Sequence, residues 1–152
     1  MHNPPLAYLI TFRTYRTWPP GDGRGAFHHA RFLQPSAPLR SEARERFASE
    51  PCVLFPHARR VVERAIREAC EHKGWTLHAL NVRTNHVHLV AAMLAPPERG
   101  MGTVKAWATR RLREHGITAH DERAWSRHGS TRYLWSEAEM ERAVRYVVEW
   151  QG

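Results

Sequence analysis

Two histidines one residue apart, His86 and His88, are the side chains here whose type and spacing most directly suggest chemistry. They lie in Asn85-His86-Val87-His88-Leu89-Val90, a run that reads as a strand. Side chains alternate between the faces of a strand. The two imidazoles therefore project from one side, and Val87 and Leu89 from the other. Two imidazoles at i and i+2 on a rigid backbone can ligate one divalent metal ion. Such an ion polarises a phosphate and neutralises charge in a phosphoryl-transfer transition state. Spacing alone leaves a second explanation open, because among 11 histidines a His-x-His arises by chance and strand histidines often just face solvent.

The elements that must position this pair follow from hydrophobic periodicity. Leu6 to Tyr15 is rich in β-branched and aromatic residues and reads as a strand, ended by Trp-Pro-Pro-Gly-Asp-Gly-Arg-Gly. Residues 26 to 56 are irregular, with a short helix expected around Ser41 to Ser49; a loop of this length tends to carry function or to move. From His57 to Lys73, the apolar residues Val61, Val62, Ala65, Ile66, Ala69 and Cys70 recur at helical spacing, and Gly74 stops the helix. Trp75 to Val82 and Asn85 to Met93 read as strands, joined around Arg83 and Thr84 as an antiparallel hairpin. After Pro96 and Pro97, Gly102 to Glu114 reads as a basic helix ending at Gly116, and Thr131 to Trp135 as a short strand. Ser136 caps a final helix with Glu137 and Glu139 in its first turn. The order β-α-β-β-α-β followed by α predicts an α+β, ferredoxin-like domain with an antiparallel sheet and a C-terminal helix.

At 152 residues the chain suits a single domain spanning 1–152. Lys and Arg number 23 against 15 acidic residues, and this charge of +8 favours a polyanionic partner, nucleic acid before an acidic membrane surface. Cys52 and Cys70 provide no disulfide framework and read as free thiols of a reducing compartment. No apolar run is long enough for a membrane span and no signal segment opens the chain, so a soluble, cytoplasmic protein without a membrane partner is expected.

Val82-Arg83-Thr84-Asn85-His86-Val87-His88-Leu89-Val90-Ala91-Ala92 resembles the metal-binding strand of the single-tyrosine HUH transposases, the insertion-sequence and REP-associated (IS200-like) enzymes. The resemblance extends from the first strand to the C-terminus and is least secure between Trp18 and Pro56. It implies a ferredoxin-like core, single-stranded DNA with a hairpin as substrate, and a divalent metal, Mg2+ or Mn2+, on His86 and His88. It further implies a bacterial protein that associates with the nucleoid when DNA-bound, and a homodimer in which the nucleophile can be delivered to the partner's histidines.

The same resemblance implies a nucleophilic tyrosine on a helix after the core, and Tyr146 in Glu-Arg-Ala-Val-Arg-Tyr-Val-Val-Glu-Trp-Gln-Gly matches that position. Helix geometry bears on it independently. Met140, Ala143, Val144, Val147 and Val148 form an apolar stripe, and Tyr146 lies off it beside Arg142 and Glu149. Tyr133, next to Arg132 in a short strand, is the competing tyrosine but matches no family position; Tyr8 and Tyr15 have ordinary packing explanations. The family places a metal-ligating amide four residues after the tyrosine. Here that residue is Trp150, so Gln151 is the nearest amide and Glu149, a hard oxygen donor, its rival.

The chemistry so implied is a transesterification: Tyr146 attacks a phosphodiester, leaving a 5′-phosphotyrosine link and a free 3′-OH. Lys105, Arg110, Arg111 and Arg113 on the basic helix, with Trp107 among them, are candidate DNA contacts, although Trp107 reads more naturally as a packing residue. Arg13, Arg16 and Arg24 are further candidates, as are Arg127, His128 and Arg132. Three other functions compete: an inactive or domesticated relative that only binds single-stranded or hairpin DNA, an RNA-binding ferredoxin-like domain, and a two-histidine metal hydrolase.

Overall fold

The computed structural model describes residues 4–16, 31–33, 52–120 and 122–149. In chain order the elements are β1 (Ala7–Thr14), β2 (Arg31–Leu33), β3 (Cys52–Leu54), α1 (Pro56–Lys73), β4 (Thr76–Val82), β5 (His86–Ala92), α2 (Pro97–Glu114), β6 (Trp125–Leu134) and α3 (Glu137–Glu149). Four strands form one antiparallel sheet in the order β4-β5-β1-β6, while β2 and β3 make a separate parallel pair. This is the ferredoxin-like βαββαβ arrangement expected from the element order, with α3 appended. The helix expected at Ser41 to Ser49 lies outside the described residues.

Period-two alternation assigns each strand residue to one of two cores. Tyr8, Ile10 and Phe12 of β1 and Val87, Leu89 and Ala91 of β5 pack beneath α1 and α2. Ala7 of β1, Val90 of β5, Ala79 of β4 and Leu134 of β6 pack on the opposite face against Ala143 and Val147 of α3. The sheet is therefore sandwiched, and His86 and His88 share the α3 face with Val90.

Helix boundaries follow from local chemistry. Pro sits in the first turn of α1, and Gly74 closes that helix at φ 74°, a left-handed conformation that glycine adopts without a Cβ penalty. The second helix begins at Pro97, five residues before the expected Gly102, because proline is tolerated at a helix start where its missing N–H costs nothing. Strand β6 begins at Trp125 rather than Thr131. It is an edge strand, solvent-exposed along most of its length, so the alternation that marks a half-buried strand is missing from its sequence. Gly129 within it opposes Phe12, and a Cβ there would collide with the Thr11 carbonyl oxygen and sit 2.7 Å from Met101 Sδ.

Cys52 and Cys70 are both free and buried. Among the described residues, no helix is long and apolar enough to cross a membrane.

Candidate functional site

The hairpin between β4 and β5 is closed by the Arg83 N–H donating to the His86 carbonyl at 2.8 Å, which holds β4 in register with β5. On its other side β5 pairs with β1, where Arg13 stands opposite His86, and Thr11 opposite His88. Asn81 of β4 stands opposite His88 from the other side. Opposed residues in an antiparallel sheet project from the same face. Arg13, Thr11 and Asn81 are therefore brought to the two histidines by strand pairing.

Both imidazoles are 4% exposed, and their ring centroids are 4.7 Å apart. His86 Nδ1–H donates to Asn85 Oδ1 at 2.7 Å, an acceptor-only oxygen that puts the proton on Nδ1 and a lone pair on Nε2. His88 Nδ1 and Thr11 Oγ1 are hydrogen-bonded at 2.8 Å. Burial, the neighbouring His88, and the positive charges of Arg13 and Arg83 hold His86 down at about 4. Burial and the same two arginines hold His88 at about 4. Two neutral imidazoles, each oriented through Nδ1 so that Nε2 can act as ligand, are a donor set suited to a divalent ion. Among the described residues no third histidine, cysteine or carboxylate joins them in a metal-holding group, Glu149 included. Gln151 lies outside the described residues.

The helix α3 delivers Tyr146 to this pair. Ser136 caps it, with the Glu139 N–H donating to Ser136 Oγ at 3.2 Å, as expected from sequence. Ala143 and Val147 are buried and Met140 and Val144 pack beside them, but Val148 is 60% exposed and leaves the expected stripe. Tyr146 flanks the packed residues, 41% exposed, and its ring centroid lies 5.3 Å from that of His88. Arg13 is half-buried, and burial lowers its pKa, an effect that electrostatic coupling to Tyr146 opposes. Asn81 Nδ2 donates to the Val147 carbonyl at 2.9 Å. That carbonyl belongs to the last turn of α3, where helix geometry supplies no N–H donor. This contact ties the turn carrying Tyr146 to the strand beside His88. Asn81 and Thr11 were not evident as site residues in the sequence, since neither belongs to a local motif.

Other candidate residues are placed elsewhere. Arg132 is exposed on β6, opposite Leu9 and on the α3 face. Lys105, Arg110 and Arg111 belong to α2, across the sheet from the histidines. Lys105 Nζ donates to the Ser126, Arg127 and His128 carbonyls at 3.0, 3.4 and 3.5 Å, binding α2 to β6. Arg111 pairs with Glu68 and Glu114, and Arg110 lies over the half-buried Trp107 ring. Tyr133 meets Tyr8 edge to face at 5.0 Å on the α1–α2 side of the sheet, away from the histidines.

The family model described as Transposase IS200 like matches residues 50–149. Among solved structures, the chain is similar to a REP-associated tyrosine transposase bound to a REP hairpin. The identity is 9% and the TM-score 0.52, over 97% of this chain and 67% of that one. It is also similar to a candidate transposase from Deinococcus radiodurans, at 14% identity and a TM-score of 0.47, over 97% of this chain and 92% of the other. No curated protein matches the sequence. At these identities the first of the two structures supports the fold.

Proposed function

Because this chain belongs to the IS200-like transposase family, we propose that it cuts and rejoins single-stranded DNA through a covalent link at Tyr146. The observation that carries this reading is the placement of the Tyr146 ring 5.3 Å from His88, on the face that also presents His86. Tyr146 Oη attacks phosphorus, the P–O3′ bond breaks, and the leaving 3′-oxygen takes up a proton. The phenol proton passes to solvent or to a phosphate oxygen. The 5′-phosphotyrosine keeps the energy of the broken bond, so attack by another 3′-OH restores a phosphodiester and frees the tyrosine.

Arg13 and Arg83 give the site a positive field that suits a phosphodiester. His86 and His88 would hold Mg2+ or Mn2+, which polarises the scissile phosphate when bound. Gln151 is the amide we assign as third ligand. A REP hairpin is bound by the structural neighbour, which supports hairpin DNA as the partner here. The family's homodimer is retained as part of this reading, with each site built within one chain because Tyr146 meets the histidine of its own sheet.

The test is a covalent adduct on the purified protein with hairpin-flanked single-stranded DNA, dependent on Mg2+ or Mn2+ and absent in Tyr146→Phe. An adduct that survives this substitution would move the nucleophile elsewhere. The displaced amide, with Trp150 at the family's position and Gln151 one residue later, favours a second reading, a relative that binds the same DNA without cutting it. Binding with no adduct under any divalent ion would select it.

A further inference from the structure

A groove of about 520 Å³ opens beside Tyr146, between α3 and the β1–β6 side of the sheet. That volume falls in the range of sites that enclose small organic ligands, roughly 300–1,000 Å³. Three periodicities converge on it. Glu139, Arg142, Ala143 and Tyr146 line it from α3, at the spacing of one helix face. Ser130, Arg132 and Leu134 line it from β6, and Leu9 and Thr11 from β1, each at the period of one strand face. Thr11 joins it to the histidines, since its Oγ1 holds His88 Nδ1.

The lining has the chemistry of a nucleic-acid strand in complement. Leu9, Leu134 and Ala143 offer an apolar floor for a sugar or base. Arg132 and Arg142 stand exposed on opposite walls, and among the described residues neither is in an ion pair. Arg142 lies one helical turn, about 6 Å, before Tyr146, a separation on the scale of one nucleotide step. Glu139 is placed one turn further, with its carboxylate accepting from Ser136 Oγ at 3.3 Å, and its charge would repel a second phosphate.

We propose that this groove seats the single-stranded nucleotide adjoining the scissile phosphate, with Arg132 and Arg142 pairing to its backbone. The assignment of that phosphate rests on the transesterification at Tyr146; the groove's affinity for a strand does not. It adds Arg142 to the substrate-binding residues and bounds the seat at one nucleotide, between Tyr146 and Glu139.

The test is a fluorescence-anisotropy titration of the full chain, as Tyr146→Phe so that nothing is cut, with a fluorescein-labelled 12-nucleotide single strand of mixed sequence in EDTA. Arg132→Gln and Arg142→Gln should each weaken binding by roughly three- to tenfold, and each should lower the slope of log K against log salt by about 0.7. Arg67→Gln, which removes a cation paired with Glu63 on α1, is the control and should change binding less than twofold. Both groove arginines are exposed, so circular dichroism should show an unaltered fold. Binding of the double variant within twofold of the Tyr146→Phe parent would overturn the groove, even if the Tyr146 adduct forms normally. Weakened binding in the variants without any adduct in the unsubstituted protein would sustain the groove as a strand site and remove the transesterification.

Discussion

The Tyr146 ring meets the His88 ring of the same chain nearly edge to face, with centroids 5.3 Å apart and planes inclined at 72°. The tyrosine and the histidine face are thus supplied by one sheet and the helix packed on it. If the site works in this form, two chains cannot complement one another. A mixture of Tyr146→Phe and His88→Ala proteins should form less than about a tenth of the adduct of the unsubstituted protein, given losses of a hundredfold or more when such groups are removed. Restoration to a quarter or more in the mixture would show that the helix is exchanged between subunits.

Thr11 is expected to act through His88. Its hydroxyl holds Nδ1 at 2.8 Å, and the isosteric Thr11→Val removes that hydrogen bond while keeping the shape. Loss of such a partner to a ligating histidine typically costs about 10- to 100-fold in metal affinity. Calorimetric titration with Mn2+ should show that weakening, and Thr11→Ser should recover most of it. Unchanged affinity in Thr11→Val would detach the hydroxyl from the metal site.

The two histidines also make the metal-free protein sensitive to acid. Their folded values, about 4, lie below that of a free imidazole, about 6.5. Between these values the unfolded chain binds protons that the folded chain does not, so stability rises with pH across that window. The contribution is complete above pH ~6.5 and is lost as pH falls through ~4, amounting to about 3 kcal/mol per ring at most. Urea unfolding in EDTA at pH 7 and pH 4.5 should show the loss, and His86→Gln with His88→Gln should flatten it. The same pH dependence in the double variant would assign it to other groups.

Asn81 should position the nucleophile without touching the metal. Its amide holds the Val147 carbonyl at 2.9 Å, one residue after Tyr146. Asn81→Ala frees the last turn of α3, and displacement of a reacting group by about 1 Å can cost up to a hundredfold in rate. Adduct formation should slow by roughly tenfold or more, amide exchange in that turn should quicken, and Mn2+ affinity should hold within about twofold. A parallel fall in metal affinity would mean that Asn81 serves the histidines instead.

Much of this is legible in the sequence. His86 and His88 share a face because strands alternate, and Ser136 caps α3 because its hydroxyl reaches a free N–H. The α1 stripe and its Gly74 stop follow from helical periodicity and a left-handed cap. Other features are not legible in the sequence, for identifiable reasons. The start of β6 was hidden because an exposed edge strand need not alternate. The charge of Lys105 is visible in sequence, whereas the three β6 carbonyls to which it donates are not. Val148 read as core because it continued the stripe, but α3 meets the sheet along a narrower line.

By itself the sequence determined which residues share an element and a face: the histidine pair, the tyrosine on its late helix, and the apolar residues that seat that helix. These depend on local periods of two and 3.6 residues. Only the tertiary structure decided that Thr11, Arg13 and Asn81 converge on the histidines, that Tyr146 rests against His88, and that Arg132 and Arg142 face one groove. Thr11 and His88 are 77 residues apart in the chain, and only strand register, set by burying both sheet faces at once, makes them neighbours.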